Sequence, residues 1–77
     1  MKRFYIEKFE GNILREYYPE GALKSEAEVK EGKRHGRYRE YYENGTLKLR
    51  GKYSENHPKG TWKYYTEEGK FERKEKY

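Results

Sequence analysis

Apolar and polar positions in this chain alternate in short pulses that return with a fixed period. Residues 39 to 48 read REYYENGTLK, and the phrase stands earlier as REYYPEGALK (15 to 24) and later as KYYTEEGKFE (63 to 72). Gly21, Gly45 and Gly69 lie 24 residues apart, as do Tyr17, Tyr41 and Tyr65. In the same register Leu14, Tyr38 and Trp62 form a column, as do Leu23, Leu47 and Phe71, and also Val29, Tyr53 and Tyr77. Arg15, Arg39 and Lys63 form a basic column beside them, and Gly36 and Gly60 repeat the interval with Asn12 in the corresponding earlier place. Self-similarity at a fixed period marks a repeat protein, each unit being one supersecondary element. The 77 residues therefore divide, within one repeat domain, into a partial unit at 1–11 and units at about 12–35, 36–59 and 60–77.

Within a unit, a run rich in tyrosine and charge reaches a glycine-bearing turn (PEG, ENG, EEG) and a second alternating run follows, the local signature of a β-hairpin. Asn44-Gly45 is the strongest of these turns, because both residues tolerate positive φ at low cost. KEGKRHG (30 to 36) and SENHPKG (54 to 60) read as longer connections between units. Seven strands are predicted, near 2–10, 13–18, 22–29, 37–42, 46–53, 61–66 and 70–77. LKSEAEV (23 to 29) would pass for helix in isolation, but its counterpart LKLRGKY (47 to 53) would not, so the repeat overrules local propensity. The predicted fold class is all-β, a single-layer meandering antiparallel sheet of stacked hairpins, each touching mainly its neighbours. Tyr38 and Tyr41 differ by an odd number of positions and face opposite sides of a regular strand. Either both faces carry aromatic rows, or a bulge brings the two tyrosines together.

Charged residues make up 43% of the chain, a balance that leans toward disorder, but 18% of the residues are aromatic and ten of these are tyrosines at fixed spacing. A tyrosine ring covers neighbouring backbone while its hydroxyl stays in water, so the tyrosines can serve as the core of a sheet without a dry interior. There is no cysteine, which removes a disulfide framework, a thiolate zinc site and a cysteine nucleophile together. No apolar run is long enough to span a bilayer, and a cytoplasmic location is the expectation. His35 and His57 sit at different places in the repeat, a poor zinc site. The glutamates lie on solvated strands where nothing raises a pKa toward a catalytic value. Gly32 to Gly36 lacks the strand-to-helix transition of a phosphate loop. No metal, cofactor or catalytic residue is expected.

Charge placement adds more than charge total. Residues 1–31 carry six basic and seven acidic side chains, net −1, and residues 32–77 carry thirteen and seven, net +6, giving +5 for the chain. The glycine-bearing turns hold Glu20, Glu43, Glu67 and Glu68, whereas the connections at the opposite margin hold Lys33, Arg34, Arg37, His57 and Lys59. An acidic and a basic edge, about 20 Å apart by strand rise, are the expected result. An acidic partner would be steered to the basic one.

The stretch GRYREYYENGTLKLRGKYSENHPKG resembles the variant MORN repeat, whose pattern runs glycine, a spaced aromatic pair, Asn-Gly, a leucine, a tyrosine and a closing glycine. Bacterial proteins built from it are often labelled YwqK-type antitoxins. The chain departs from the pattern at Asn12, which replaces the closing glycine, and in the third unit, where Glu68 replaces the turn asparagine and Thr66 the second tyrosine. The resemblance implies stacked β-hairpins and binding roles, with proteins and phospholipid surfaces among the partners, and no catalytic residues. Two function classes follow. The first is a non-catalytic protein-binding module, an antitoxin or inhibitor acting by direct contact, whose aromatic face of Tyr38, Tyr41, Tyr42, Trp62, Tyr64 and Tyr65 supplies interface hot spots. The second binds phosphate-bearing partners, nucleic acid or an anionic membrane surface, through a basic margin of Lys33, Arg34, Arg37, Arg39, Lys59 and Lys63. Fourteen acids are mixed among nineteen bases and no RNA-binding signature is present, which favours the first class. The strand at 2–10 is the less charged of two open edges, so if the domain self-associates, that edge is where pairing is expected.

Overall fold

The computed structural model describes the backbone of residues 6–77 and side chains from residue 11 onward. Of the edge strand expected at 2–10, to which any self-association is assigned, only the backbone of residues 6–10 is described, and residues 2–5 and the side chains lie outside the described residues. Seven strands are present: β1 (Ile6–Glu10), β2 (Ile13–Tyr17), β3 (Leu23–Lys30), β4 (Lys33–Tyr41), β5 (Leu47–Ser54), β6 (His57–Tyr65) and β7 (Phe71–Lys76). They pair in chain order as one sheet, every pair antiparallel. This is the single-layer all-β meander that the repeat predicts.

The two kinds of connection are the reverse of their appearance in the sequence. Lys30 pairs with Lys33 across Glu31-Gly32, and Ser54 pairs with His57 across Glu55-Asn56, so these charged connections are two-residue turns. All four central residues take positive φ: 52° at Glu31, 78° at Gly32, 52° at Glu55 and 70° at Asn56. Such turns carry the twist of the strands they join. Residues 33–36 and 57–60, expected as loop, are consequently strand. The PEG, ENG and EEG segments form the wider turns, in which the N–H of Gly21, Gly45 and Gly69 donates to the carbonyl of Tyr18, Tyr42 and Thr66, each at 2.9 Å. In Asn44-Gly45 only the glycine takes positive φ. Asn44 works through its side chain instead: Oδ1 accepts from the Thr46 N–H at 2.9 Å, and Nδ2 donates to the Glu67 carbonyl of the next unit at 3.1 Å.

A lone sheet has no second layer, so cohesion comes from side chains lying across adjacent strands. Among the described residues the buried apolar side chains are Ala27 and Trp62, 4% and 5% exposed. The Trp62 indole covers Gly51 of β5, where a Cβ would overlap it. Around it stand the rings of Tyr53, Tyr38 and Tyr77, with centroids 5.1, 5.8 and 6.0 Å away. Tyr53 and Tyr77 present near-perpendicular, edge-on contacts, the geometry that ring quadrupoles favour. Hydroxyls then fasten one unit to the next. Tyr18 Oη donates to the Tyr41 carbonyl and Tyr42 Oη to the Tyr65 carbonyl, both at 2.8 Å. Thr66 holds the third place in that column, and its Oγ1 accepts from the Lys70 N–H of its own turn at 3.2 Å.

The register also settles the tyrosine parity. Tyr38 pairs with Ala27 and Gly51, whereas Tyr41 is an odd step away on the same strand and pairs with Leu47. The β4–β5 register does shift between Glu40 and Tyr41, but the extra residue, Lys48, is in β5; β4 itself alternates, so the two tyrosines lie on opposite faces and both faces carry aromatic rows. One face holds the Trp62 cluster. The other carries an apolar strip near the wider turns, made of the pairs Tyr17–Leu23, Tyr41–Leu47 and Tyr65–Phe71, and beyond it rows of charge.

Replacing Trp62 by Ala should cost about 3–5 kcal/mol, the usual loss for a buried aromatic ring. Gly51→Ala should also destabilise strongly, because the added methyl displaces the indole. Tyr77→Ala, at a side chain 59% exposed, should cost far less. Tyr42→Phe isolates the hydroxyl and should cost about 1 kcal/mol. Chemical denaturation of the four variants checks the ranking, and equal small losses at Trp62 and Tyr77 would contradict it.

Candidate binding face

The register stacks charged side chains into rows that cross the strands on the face opposite the Trp62 cluster. Arg15 pairs with Glu26, Glu26 with Arg39, Arg39 with Arg50, Arg50 with Lys63 and Lys63 with Lys74. In the next row Arg37 pairs with Lys52, and Lys52 with Lys59. On the β2–β4 side bases meet acids: Arg15 Nε lies 2.8 Å and Arg39 Nη1 3.4 Å from the Glu26 carboxylate, and Arg37 Nη2 lies 3.5 Å from Glu28. Across β4 to β7 base stands opposite base, an arrangement that disfavours the sheet. Among the described residues Lys52, Lys59, Lys63 and Lys74 have no carboxylate partner, and Arg50 Nε donates to Tyr65 Oη at 3.2 Å.

The repeat columns account for this change of sign. Positions 26, 50 and 74 hold Glu, Arg and Lys, and positions 28, 52 and 76 hold Glu, Lys and Lys, while the column at 15, 39 and 63 stays basic. Two concavities reflect the difference. One of about 240 Å³ is lined by Ile13, Arg15, Glu26, Ala27, Glu28, Arg37 and Arg39, with carboxylates among its bases. The other, of about 370 Å³, is lined by Arg37, Tyr38, Arg39, Arg50, Gly51, Lys52, Lys59, Gly60 and Thr61, with five bases and no acid.

Bulges shape both places. In β4 the register steps from Val29–Arg34 to Ala27–Tyr38, which puts two extra residues opposite β3 around Gly36. Gly36 has φ 118°, and a Cβ there would overlap the Glu28 carboxylate. Glu28 Oε1 accepts from the Arg37 backbone N–H at 2.6 Å. That backbone bond, and after it the Arg37 guanidinium, holds the Glu28 carboxyl below its ordinary value of 4.5.

The residues expected along a basic margin separate. Lys33 and Arg34 are at that margin, but Glu31 and Glu55 occupy its turn tips. Lys33 Nζ lies 3.2 Å from Glu55, and the Arg34 guanidinium lies over the rings of Tyr53 and Tyr38 at 5.3 and 5.7 Å. The margin is therefore not uniformly basic. Arg37, Arg39, Lys59 and Lys63 stand on the charged face instead, because the connections are too short to hold them in loops. The aromatic positions do not form one face either. Trp62 and Tyr38 belong to the ring cluster, and burial chiefly, then the 2.8 Å bond to Glu40, raises the Tyr38 phenol above its ordinary value. Tyr64 carries the Arg73 guanidinium on its ring at 4.1 Å, Tyr41 and Tyr65 lie on the opposite face, and the Tyr42 hydroxyl is engaged by the Tyr65 carbonyl. Arg50, Lys52 and Lys74 were not singled out from the sequence. The change of sign down columns 26/50/74 and 28/52/76 is the signal that marks them.

No group of three or more His, Asp or Glu among the described residues could hold a metal ion. No helix among them is long and apolar enough to cross a membrane. An open sheet of stacked hairpins with a charged face defines a repeat scaffold. The chain belongs to the MORN repeat variant family, whose model matches residues 11–31 and 34–56. Repeats of this kind are generally associated with protein-binding and membrane-binding modules. No curated protein and no solved structure matches the chain.

The Glu28 bond yields a pH dependence whose sign is set by the direction of its shift. With its folded value lowered, the carboxyl contributes stability above its unfolded value of 4.5, and that contribution disappears as pH falls through the folded value. Urea unfolding between about pH 5 and pH 3 should show a smaller loss of stability for Glu28→Gln than for the wild type.

Proposed function

We propose that this protein is a non-catalytic docking module that holds an acidic surface of a partner protein on its basic face. The rows in which base stands opposite base from β4 to β7 carry this assignment. In the free protein these side chains repel one another, and an acidic partner replaces that repulsion with attraction while steering the encounter. An antitoxin or inhibitor is a special case of such a module, in which the docked surface is the one its partner works with. The Trp62 cluster on the reverse face supports the contact by keeping the strands in register. A second reading places phosphate-bearing partners on the same face. Arg37, Arg39 and Arg50 support it, since guanidinium groups match phosphate geometry as well as carboxylate.

The double variant Arg50→Glu, Lys63→Glu tests the assignment. The two reversals set opposite charges across from Arg39 and Lys74 and leave one like-charged pair between positions 50 and 63; such pairs are worth roughly 0.2–1 kcal/mol each, so folding should stay intact. Affinity capture from the source cells should recover a protein partner with the wild type and lose it with the variant. Retention of the same partner by both would place the contact elsewhere. A partner that survives protease and is removed by nuclease, with affinity falling linearly against the logarithm of salt concentration, would favour the phosphate reading.

A further inference from the structure

We infer that the bulge at Gly60–Thr61 is a seat for a carboxylate that a partner protein supplies. The inference deepens the reading of the basic face and rests on it. The chain contains the template for this seat one repeat earlier, where the Gly36–Arg37 bulge already holds a carboxylate, that of Glu28, through the Arg37 N–H at 2.6 Å. Moving on by the 24-residue period, Gly60 takes the place of Gly36, Thr61 that of Arg37, and Lys52 that of Glu28. The bulge is repeated as well. The β5–β6 register steps from Lys52–Lys59 to Arg50–Lys63, again with two extra residues in the later strand, and Gly60 keeps positive φ at 73°.

The occupant of the seat is what differs. Where a Cβ on Gly36 would overlap the Glu28 carboxylate, a Cβ on Gly60 would meet nothing within 4 Å. That open space belongs to the concavity of about 370 Å³ whose rim carries Arg50, Lys52 and Lys59. Gly60, Thr61, Lys52 and Lys59 are all exposed. A backbone site that lowers the pKa of a glutamate in one repeat thus recurs in the next without its glutamate, with a lysine where the acid stood. The internal occupant is a protein carboxylate, and an acidic side chain of a partner polypeptide matches both its chemistry and the surrounding charge.

Amide NMR of the full chain tests the seat, with a blocked hexaglutamate peptide as probe. The peptide should move the Gly60 and Thr61 amide resonances saturably and leave Arg37, whose N–H already holds Glu28, in place. Lys52→Glu should fill the seat from within, shifting the Thr61 amide in the absence of peptide. It should also weaken peptide binding by about tenfold, the equivalent of one charge-assisted hydrogen bond. Glu28→Lys should open the earlier seat and make the Arg37 amide respond to peptide, which keeps the test intact should Lys52→Glu fail to fold. Binding that moves other amides of the basic face but not Gly60 or Thr61 would overturn the seat and leave the docking surface standing. Absence of binding anywhere on that face would overturn both. If inorganic phosphate, a single-stranded oligonucleotide or phosphatidylglycerol vesicles move Thr61 at lower concentration than the peptide does, the assignment to a protein carboxylate fails.

Discussion

Everything in this sheet depends on the indole of Trp62 lying where Gly51 has no side chain. A single layer offers its strands no opposing sheet or helix, so burial must be found within the thickness of side chains on one face. A large ring over a small residue achieves this, because the ring reaches the backbone of the neighbouring strand and excludes water from its ladder bonds. The arrangement is graded along the array. The column Leu14, Tyr38, Trp62 increases in size, while its cross-strand neighbours run from Ala27 to Gly51. Tyr38 pairs with both Ala27 and Gly51 and links the central units through its contact with Trp62. A side chain at position 51 would leave the indole without a seat, and with it the ring cluster that Tyr53 and Tyr77 complete.

The period was the most legible feature, since a 24-residue recurrence of Gly, Tyr and Leu specifies hairpins whatever their local propensities. Strand number and order followed from it. Connection length did not, because Glu31 and Glu55 are not residues that advertise positive φ, yet both adopt it. Asn44-Gly45 advertised it strongly and used it only at the glycine. This matters beyond the turns themselves. A shift of one residue in register moves a strand's side chains to the other face, so the composition of a face is undetermined until turn lengths and bulges are known. Arg37, Arg39, Lys59 and Lys63 were visible as bases but not as members of one face for that reason. Ala27 and Gly51 were unremarked for a related one: a small residue in a column shared with Glu75 shows nothing of the ring that covers it.

The two faces bear on each other through the same strands. Tyr38 and Gly51 alternate with Arg37, Arg39, Arg50 and Lys52 along β4 and β5, and Trp62 is next to Lys63 on β6. The ring cluster is therefore on the reverse of the rows in which base stands opposite base. Like charges opposite one another across a sheet each cost a few tenths of a kcal/mol to about 1 kcal/mol. A chain of 77 residues has little stability to offset that, so the location of the ring cluster decides where such a cost can be borne. Toward β2 and β3 the rings are replaced by Leu14 and Ala27, and there the bases are matched by Glu26 and Glu28. Charge is left unmatched on the reverse of the ring cluster and matched on the reverse of Leu14 and Ala27, although Ser25 and Ala27 of β3 are as buried as Trp62. The docking proposed above would draw on this arrangement, because a face held in a repulsive state until an acidic partner arrives needs an ordered set of strands beneath it, and the ring cluster supplies that order on its reverse.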